Sequence, residues 1–229
     1  MKKALAYSFK HSIPILISFI PVGLAYGLLM QQNGYNYLCT AFCCFAVFAG
    51  TLQFLMIDFF SGSVPMISVA VIALLLNSRH IFYGIPFLEK WRNYGIEKLF
   101  LIYALPDESF SLHCSNTFDD GNENDKKLTY IFSSLFVLIY WVTTSVLGSL
   151  VGTLITFNTD GIDFALTSLM IVILIEQLKS SDSFLPAVIA SGCSVACLLL
   201  LGPSNFILPS LIITVVFLLL FKKRIEVAK

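Results

Sequence analysis

Charge is what this sequence has least of. Of its 229 residues, 14 are Lys or Arg and 14 are Asp or Glu, 12% in all, and the two signs cancel. A water-soluble domain carries about twice that share. Here 57% of residues are hydrophobic, so a surface facing water all round is excluded. Intrinsic disorder is excluded by the same figures, since it needs low hydrophobicity and high net charge. With no basic excess to neutralise phosphates, nucleic acid is excluded as a partner. No small-residue cleavage site follows the apolar run after Lys2 and Lys3, so the first segment is read as a retained span. No G-x-x-x-x-G-K-[ST], H-E-x-x-H or G-x-S-x-G motif occurs, and the chain is read as a non-enzyme with no cofactor and no metal. The cysteines Cys39, Cys43, Cys44, Cys114, Cys193 and Cys197 form no C-x-x-C pair and are read as small apolar packing residues.

What the sequence has is long uncharged runs. His11–Ile57 holds 47 residues without Asp, Glu, Lys or Arg, Phe59–Ser78 holds 20, Leu128–Thr159 holds 32 and Ser183–Phe221 holds 39. A helix needs about 20 residues to cross a hydrocarbon layer of about 30 Å. Transmembrane strands would alternate apolar and polar residues, and Val215-Val216-Phe217-Leu218-Leu219-Leu220-Phe221 does not. The fold class expected is all-α, a polytopic transmembrane helical bundle. Its helical segments lie near 11–30, 36–60, 64–87, 97–114, 128–157, 162–179, 185–202 and 206–222. A single integral membrane domain over 1–229 is expected, with 1–114 and 128–229 as candidate pseudo-repeats.

The distribution of Lys and Arg near span ends predicts topology. Lys2, Lys3 and Lys10 place the N-terminus inside, Lys90, Arg92 and Lys98 place the 88–98 loop inside, and Lys222, Lys223, Arg224 and Lys229 place the C-terminus inside. The acidic stretch 115–125 is assigned to the outer side, against the vote of Lys126 and Lys127. Three full crossings before residue 88 would put the 88–98 loop outside. The conflict resolves if one segment in each half enters and returns, or breaks at mid-depth. Ala49-Gly50-Thr51-Leu52-Gln53 and Leu201-Gly202-Pro203-Ser204-Asn205 are the candidate breaks. The expectation is about six crossings plus two broken or re-entrant elements, in two inverted halves.

An ionisable side chain at the centre of a span costs roughly 2.5–3.5 kcal/mol or more, so it marks a cavity or a partner. Asn77-Ser78-Arg79-His80 and Tyr83 interrupt an apolar run. Arg79 either snorkels to an interface or holds a carboxylate through paired hydrogen bonds. His80 is either a satisfied buried histidine or a proton relay. Asp107 and Glu108 follow Pro106; they mark either a span end or a cation or proton site. Gln53 is a neutral donor for substrate or for broken backbone. Asp58 is read as interfacial, and Glu176 with Lys179 as a pair on one helix face. Gly23-Leu24-Ala25-Tyr26-Gly27 and Gly148-Ser149-Leu150-Val151-Gly152 are small-residue patterns that let helices approach closely.

Together these motifs resemble the AzlC family of branched-chain amino acid exporters. The elements that carry the resemblance are Ile20-Pro21-Val22-Gly23-Leu24-Ala25-Tyr26-Gly27, Phe48-Ala49-Gly50-Thr51-Leu52-Gln53-Phe54, Asn77-Ser78-Arg79-His80 with Tyr83-Gly84, and Asp107-Glu108-Ser109-Phe110. Thr51, Ser78 and Pro106 depart from the family's usual Ala, Leu and Thr. The resemblance implies export of Leu, Ile, Val and sometimes Met across a bacterial cytoplasmic membrane, with a small hydrophobic AzlD-like subunit as partner. A zwitterion's carboxylate would then meet Arg79, Asn77 or the N–H groups of a broken helix start, with Gln53, His80 and Tyr83 as further substrate-binding residues. Its ammonium would meet Asp107 or Glu108, which also serve proton coupling, and its side chain would meet Phe48, Phe54, Ile81, Phe82 and Tyr83. The rival readings are a channel and a structural membrane subunit.

Overall fold

The computed structural model describes residues 2–60, 62, 64–114, 123–154, 171, 174–175, 178–179, 184–202 and 206–220. The expected helix at 162–179, the pair Glu176–Lys179, residues 203–205 of the second candidate break and the C-terminal basic cluster lie wholly or largely outside these residues. Among the described residues there are nine α-helices and no strand. They are α1 (Lys2–Gln32), α2 (Tyr37–Ala46), α3 (Gly50–Phe60), α4 (Met66–Gly84), α5 (Glu97–Tyr103), α6 (Asp107–Cys114), α7 (Glu123–Leu154), α8 (Leu185–Leu201) and α9 (Ile207–Leu220). The helices at Lys2–Gln32, Met66–Phe87 and Glu123–Leu154 are long and apolar enough to cross a membrane. This is the helical membrane architecture expected. The chain divides into two compact units, one of Met1–Ser63 with Leu76–Ile162, the other of Val64–Leu75 with Asp163–Lys229.

In the second unit α8 and α9 pack on each other, and Gly202 ends α8 with φ +74°. Leu199, Leu200 and Leu220 stand exposed on this pair, as side chains facing lipid do.

The first unit is built on α1 and α7. Ser8 Oγ donates to the Thr129 carbonyl at 3.1 Å, and Ser12 Oγ meets Tyr140 Oη at 3.1 Å. Further along, a Cβ at Gly23 would strike the Thr144 side chain, one at Gly27 the Ser145 backbone, and one at Gly148 the Leu24 backbone. Contacts advance together along both helices, so α1 and α7 run parallel. Both G-x-x-x-G patterns therefore do what small residues do in lipid, where dispersion and backbone proximity replace the hydrophobic drive.

Parallel packing corrects one expectation. Glu123 and Asp125 begin α7 beside the Lys2 end of α1, so the described end of the acidic stretch shares a side with the N-terminus. Local charge pointed the other way because it carries no information on helix direction. Lys126 and Lys127 were the better guide.

Two hairpins enter this frame from opposite ends. The first is α2–α3. Gly34 (φ +85°) closes α1, with Tyr35 N–H donating to Met30 O and Gly34 N–H to Gln31 O, the bond pair of a left-handed helix cap. Asn36 Oδ1 then accepts from Cys39 N–H at 2.9 Å and caps α2. Helix α2 stops at Ala46 and α3 starts at Gly50, so the break lies at 47–49, shifted towards α2 from the 49–53 expected, and Gly50–Gln53 form the first turn of α3. The Tyr35 and Phe60 rings lie 5.1 Å apart, so the segment returns to the end it came from.

The second hairpin is α5–α6. Pro106 lacks an N–H and disfavours helix in the residue before it. The chain accordingly stops at Ala104 and restarts at Asp107. Pro106 produces a reversal rather than a kink. Glu97 at the start of α5 bonds Lys127 on α7 at 2.8 Å, while the ring of His113 near the end of α6 lies 5.8 Å from that of Trp91. Both ends thus sit at the Lys2 end. The 88–98 loop therefore lies at the Lys2 end of the first unit, beside the starts of α1 and α7.

Candidate functional site

The two hairpin tips meet. Tyr103, the last residue of α5, donates its hydroxyl to the Phe45 carbonyl at the end of α2, and its ring lies 6.2 Å from those of Phe45 and Phe48. Arg79 on α4 spans both tips. Its Nη1 donates to Asp107 Oδ2 at 2.9 Å, and its Nη2 to Thr51 Oγ1 at 3.4 Å. Asp107 opens α6 and Thr51 lies in the first turn of α3, so two helix N-termini face one guanidinium. The two termini differ. Asp107 and Glu108 occupy the first turn of α6, where acids complement the helix dipole. The first turn of α3 contains no acid, so the positive end of its dipole is not offset by a carboxylate of its own. The Arg79 and Asp107 side chains are 37% and 40% exposed, open enough to be reached.

Around this pair the structure sorts the expected residues. Tyr83, one turn after Arg79, stacks on Phe110 at 4.5 Å with its hydroxyl beside the Asp107 carboxylate. The His80 ring lies 5.7 Å from that of Tyr83 and within electrostatic reach of Asp107 and Arg79. Glu108 has Asp107 and Arg79 as its charged neighbours. Asn77 is half-buried two residues before Arg79, about 200° around the helix, so it is not brought to the pair. Ile81 and Phe82 are 69% and 65% exposed, whereas Phe48 and Phe54 are buried.

Gln53 is fully buried, and its Oε1 accepts from Trp141 Nε1 at 2.8 Å. It ties the start of α3 to α7. Tyr26 stacks on Trp141 at 5.9 Å and meets Phe54 edge-on at 5.3 Å, while Phe19 meets Trp141 at 5.2 Å. Thr51, Tyr103 and Trp141 were missed by sequence reasoning. The available signal for Trp141 was chemical: a tryptophan deep in a span needs an acceptor for its N–H, and Gln53 is an amide in the facing segment.

The base of α5–α6 is a separate assembly. Phe87, Trp91, Leu101, Leu105 and Tyr130 form one buried cluster, and His113 joins it with its Nε2 2.9 Å from Ser134 Oγ. Lys127 Nζ also lies 5.7 Å over the Tyr94 ring. Burial pushes the Tyr94 phenol up to about 12, which keeps it neutral. Among the described residues no group of His, Cys, Asp and Glu is placed to hold a metal ion.

Comparison with known proteins places the sequence in a family. A family model described as AzlC protein matches residues 14–155, a range that contains both tips and Arg79. The branched-chain amino acid transport protein AzlC of Bacillus subtilis is 35% identical over 222 residues, covering 97% of this chain and 87% of that protein. An uncharacterized membrane protein of Helicobacter pylori is 34% identical over 98% of this chain and 97% of its own length. The inner membrane protein YgaZ of Escherichia coli is 32% identical over 75 residues, a third of this chain. No solved structure matches.

Proposed function

The chain belongs to the AzlC family, and from that premise we propose that it is a secondary transporter exporting branched-chain amino acids, Leu, Ile and Val and also Met, from the cytoplasm in exchange for protons. The observation that carries this reading is Arg79 set between two opposed hairpin tips. Discontinuous helices that meet at mid-depth are how many secondary transporters present backbone dipoles to a charged cargo. The cargo's carboxylate goes to Arg79 and the acid-free N-terminus of α3. Its ammonium goes to Asp107 or Glu108, which also supply the titrating carboxylate, and its side chain lies against the Phe48, Tyr83 and Tyr103 rings.

Orientation rests on charge. Lys2, Lys3, Lys10, Lys90, Arg92, Lys98, Lys126 and Lys127 all gather toward the Lys2 end, which is the pattern of a cytoplasmic face. We place both termini on that face of a bacterial cytoplasmic membrane. A small AzlD-like membrane subunit is the proposed partner, on the strength of the family.

The test is efflux of labelled leucine from proteoliposomes, with and without a proton gradient and with and without the small subunit. Saturable, gradient-stimulated efflux supports the reading, and its absence from folded protein under every condition refutes it. E108Q and D107N are each expected to abolish the response to the gradient, and coupling retained in both would refute the proton role.

A further inference from the structure

The ion pair between the tips is only half made. A guanidinium and a carboxylate ordinarily meet through two parallel hydrogen bonds. Here one bond joins Arg79 Nη1 to Asp107 Oδ2 at 2.9 Å. Arg79 Nε and Asp107 Oδ1 are both shut off from solvent, and neither has a partner. The Arg79 fork therefore still has a free donor, and the Asp107 carboxylate a free acceptor.

Resting on the reading above that Arg79 receives the cargo's carboxylate, we infer that Asp107 occupies that carboxylate's position in the empty site and so restricts the cargo to zwitterions. The argument is a charge count. Empty, the pair is neutral. A plain carboxylate that takes Arg79 displaces Asp107 and leaves two anions about one guanidinium. Where water is scarce, such an excess charge is strongly disfavoured. An amino acid brings its own ammonium, which the released Asp107 carboxylate accepts, so cargo and pair together return to neutrality. The neighbouring titratable groups do not change the comparison, since Glu108, His80 and Tyr83 add no second permanent cation. Asp107 thus acts as a specificity-determining residue, by competing for the cation the cargo needs.

The test uses the full chain in lipid nanodiscs, with labelled leucine and labelled 4-methylpentanoate, which is leucine without its ammonium. The wild-type chain is expected to bind leucine and to bind 4-methylpentanoate poorly. D107N exposes Arg79, so it is expected to bind 4-methylpentanoate about tenfold tighter than wild type and leucine about tenfold more weakly. D107E restores the wild-type order. A gain of affinity is a readout that damage to the fold does not produce. A second measurement needs no variant: millimolar methylammonium supplies the missing cation and is expected to raise 4-methylpentanoate binding to the wild-type chain, where equal sodium does not. No gain in D107N, or no effect of methylammonium, overturns the inference while leaving the site intact. A wild-type chain that binds no leucine overturns the site itself.

Discussion

The two hairpins are alike in plan and opposite in how they are held. The α2–α3 hairpin is fixed at its tip. Gln53 bonds Trp141 there, Tyr26 and Phe54 pack alongside, and its base shows the Tyr35–Phe60 ring contact. The α5–α6 hairpin is fixed at its base, by the aromatic cluster, by His113 on Ser134 and by Glu97 on Lys127. Its tip adds Leu105 to that cluster, sets the Tyr103 ring near Phe45 and Phe48, and carries two polar contacts, Tyr103 to Phe45 and Asp107 to Arg79. The difference separates two tasks. One tip is a fixed wall that presents a helix N-terminus without an acid. The other is a cantilever whose tip contacts a charged cargo can contest.

The severest way to break this comparison is to remove Arg79, which bonds both tips. R79Q is expected to lower leucine efflux about a hundredfold, measured at equal protein in proteoliposomes. Next comes the wall. Q53L leaves the Trp141 N–H buried and unpaired, a loss of about 1–3 kcal/mol, read as a lower melting temperature in detergent. Adding W141F removes both polar partners and is expected to recover much of that loss. At the base of the cantilever, S134A removes the His113 partner and is expected to cost about 1 kcal/mol. K127A is the mildest change. A solvated ion pair contributes little, so the melting temperature should hold while a cysteine introduced at the 88–98 loop labels faster. If Q53L frees the α5–α6 tip instead, the assignment of wall and cantilever is reversed.

Much of this was legible in the chain. The uncharged runs set the membrane class, and Gly23, Gly27 and Gly148 marked the face where α1 meets α7. Gly50 and Gln53 marked the first break, because glycine and a buried amide both disturb an apolar helix. Arg79 and Asp107 each stood out as charges in the wrong solvent. Their partnership was not legible, since spacing along a chain does not say which segments turn back. The reversal at Pro106 was hidden for the same reason: proline stops a helix, but only packing against Trp91 and Tyr130 decides where the chain goes next. Thr51 stood out only as a departure from the family's usual Ala within the first break. Its importance comes from lying at a helix start within reach of Arg79.

The parallel seam between α1 and α7 also has a consequence in time. Ser8 and its acceptor Thr129 are 121 residues apart in sequence. A ribosome adding about 5–20 residues per second needs on the order of ten seconds to close that gap. For that interval Ser8 and the Gly23 and Gly27 notch of α1 lack the α7 surface they meet in the finished protein. The seam is therefore both the scaffold of the first unit and a contact that must wait for a distant segment, and any other helix with a small-residue face has those seconds in which to take its place.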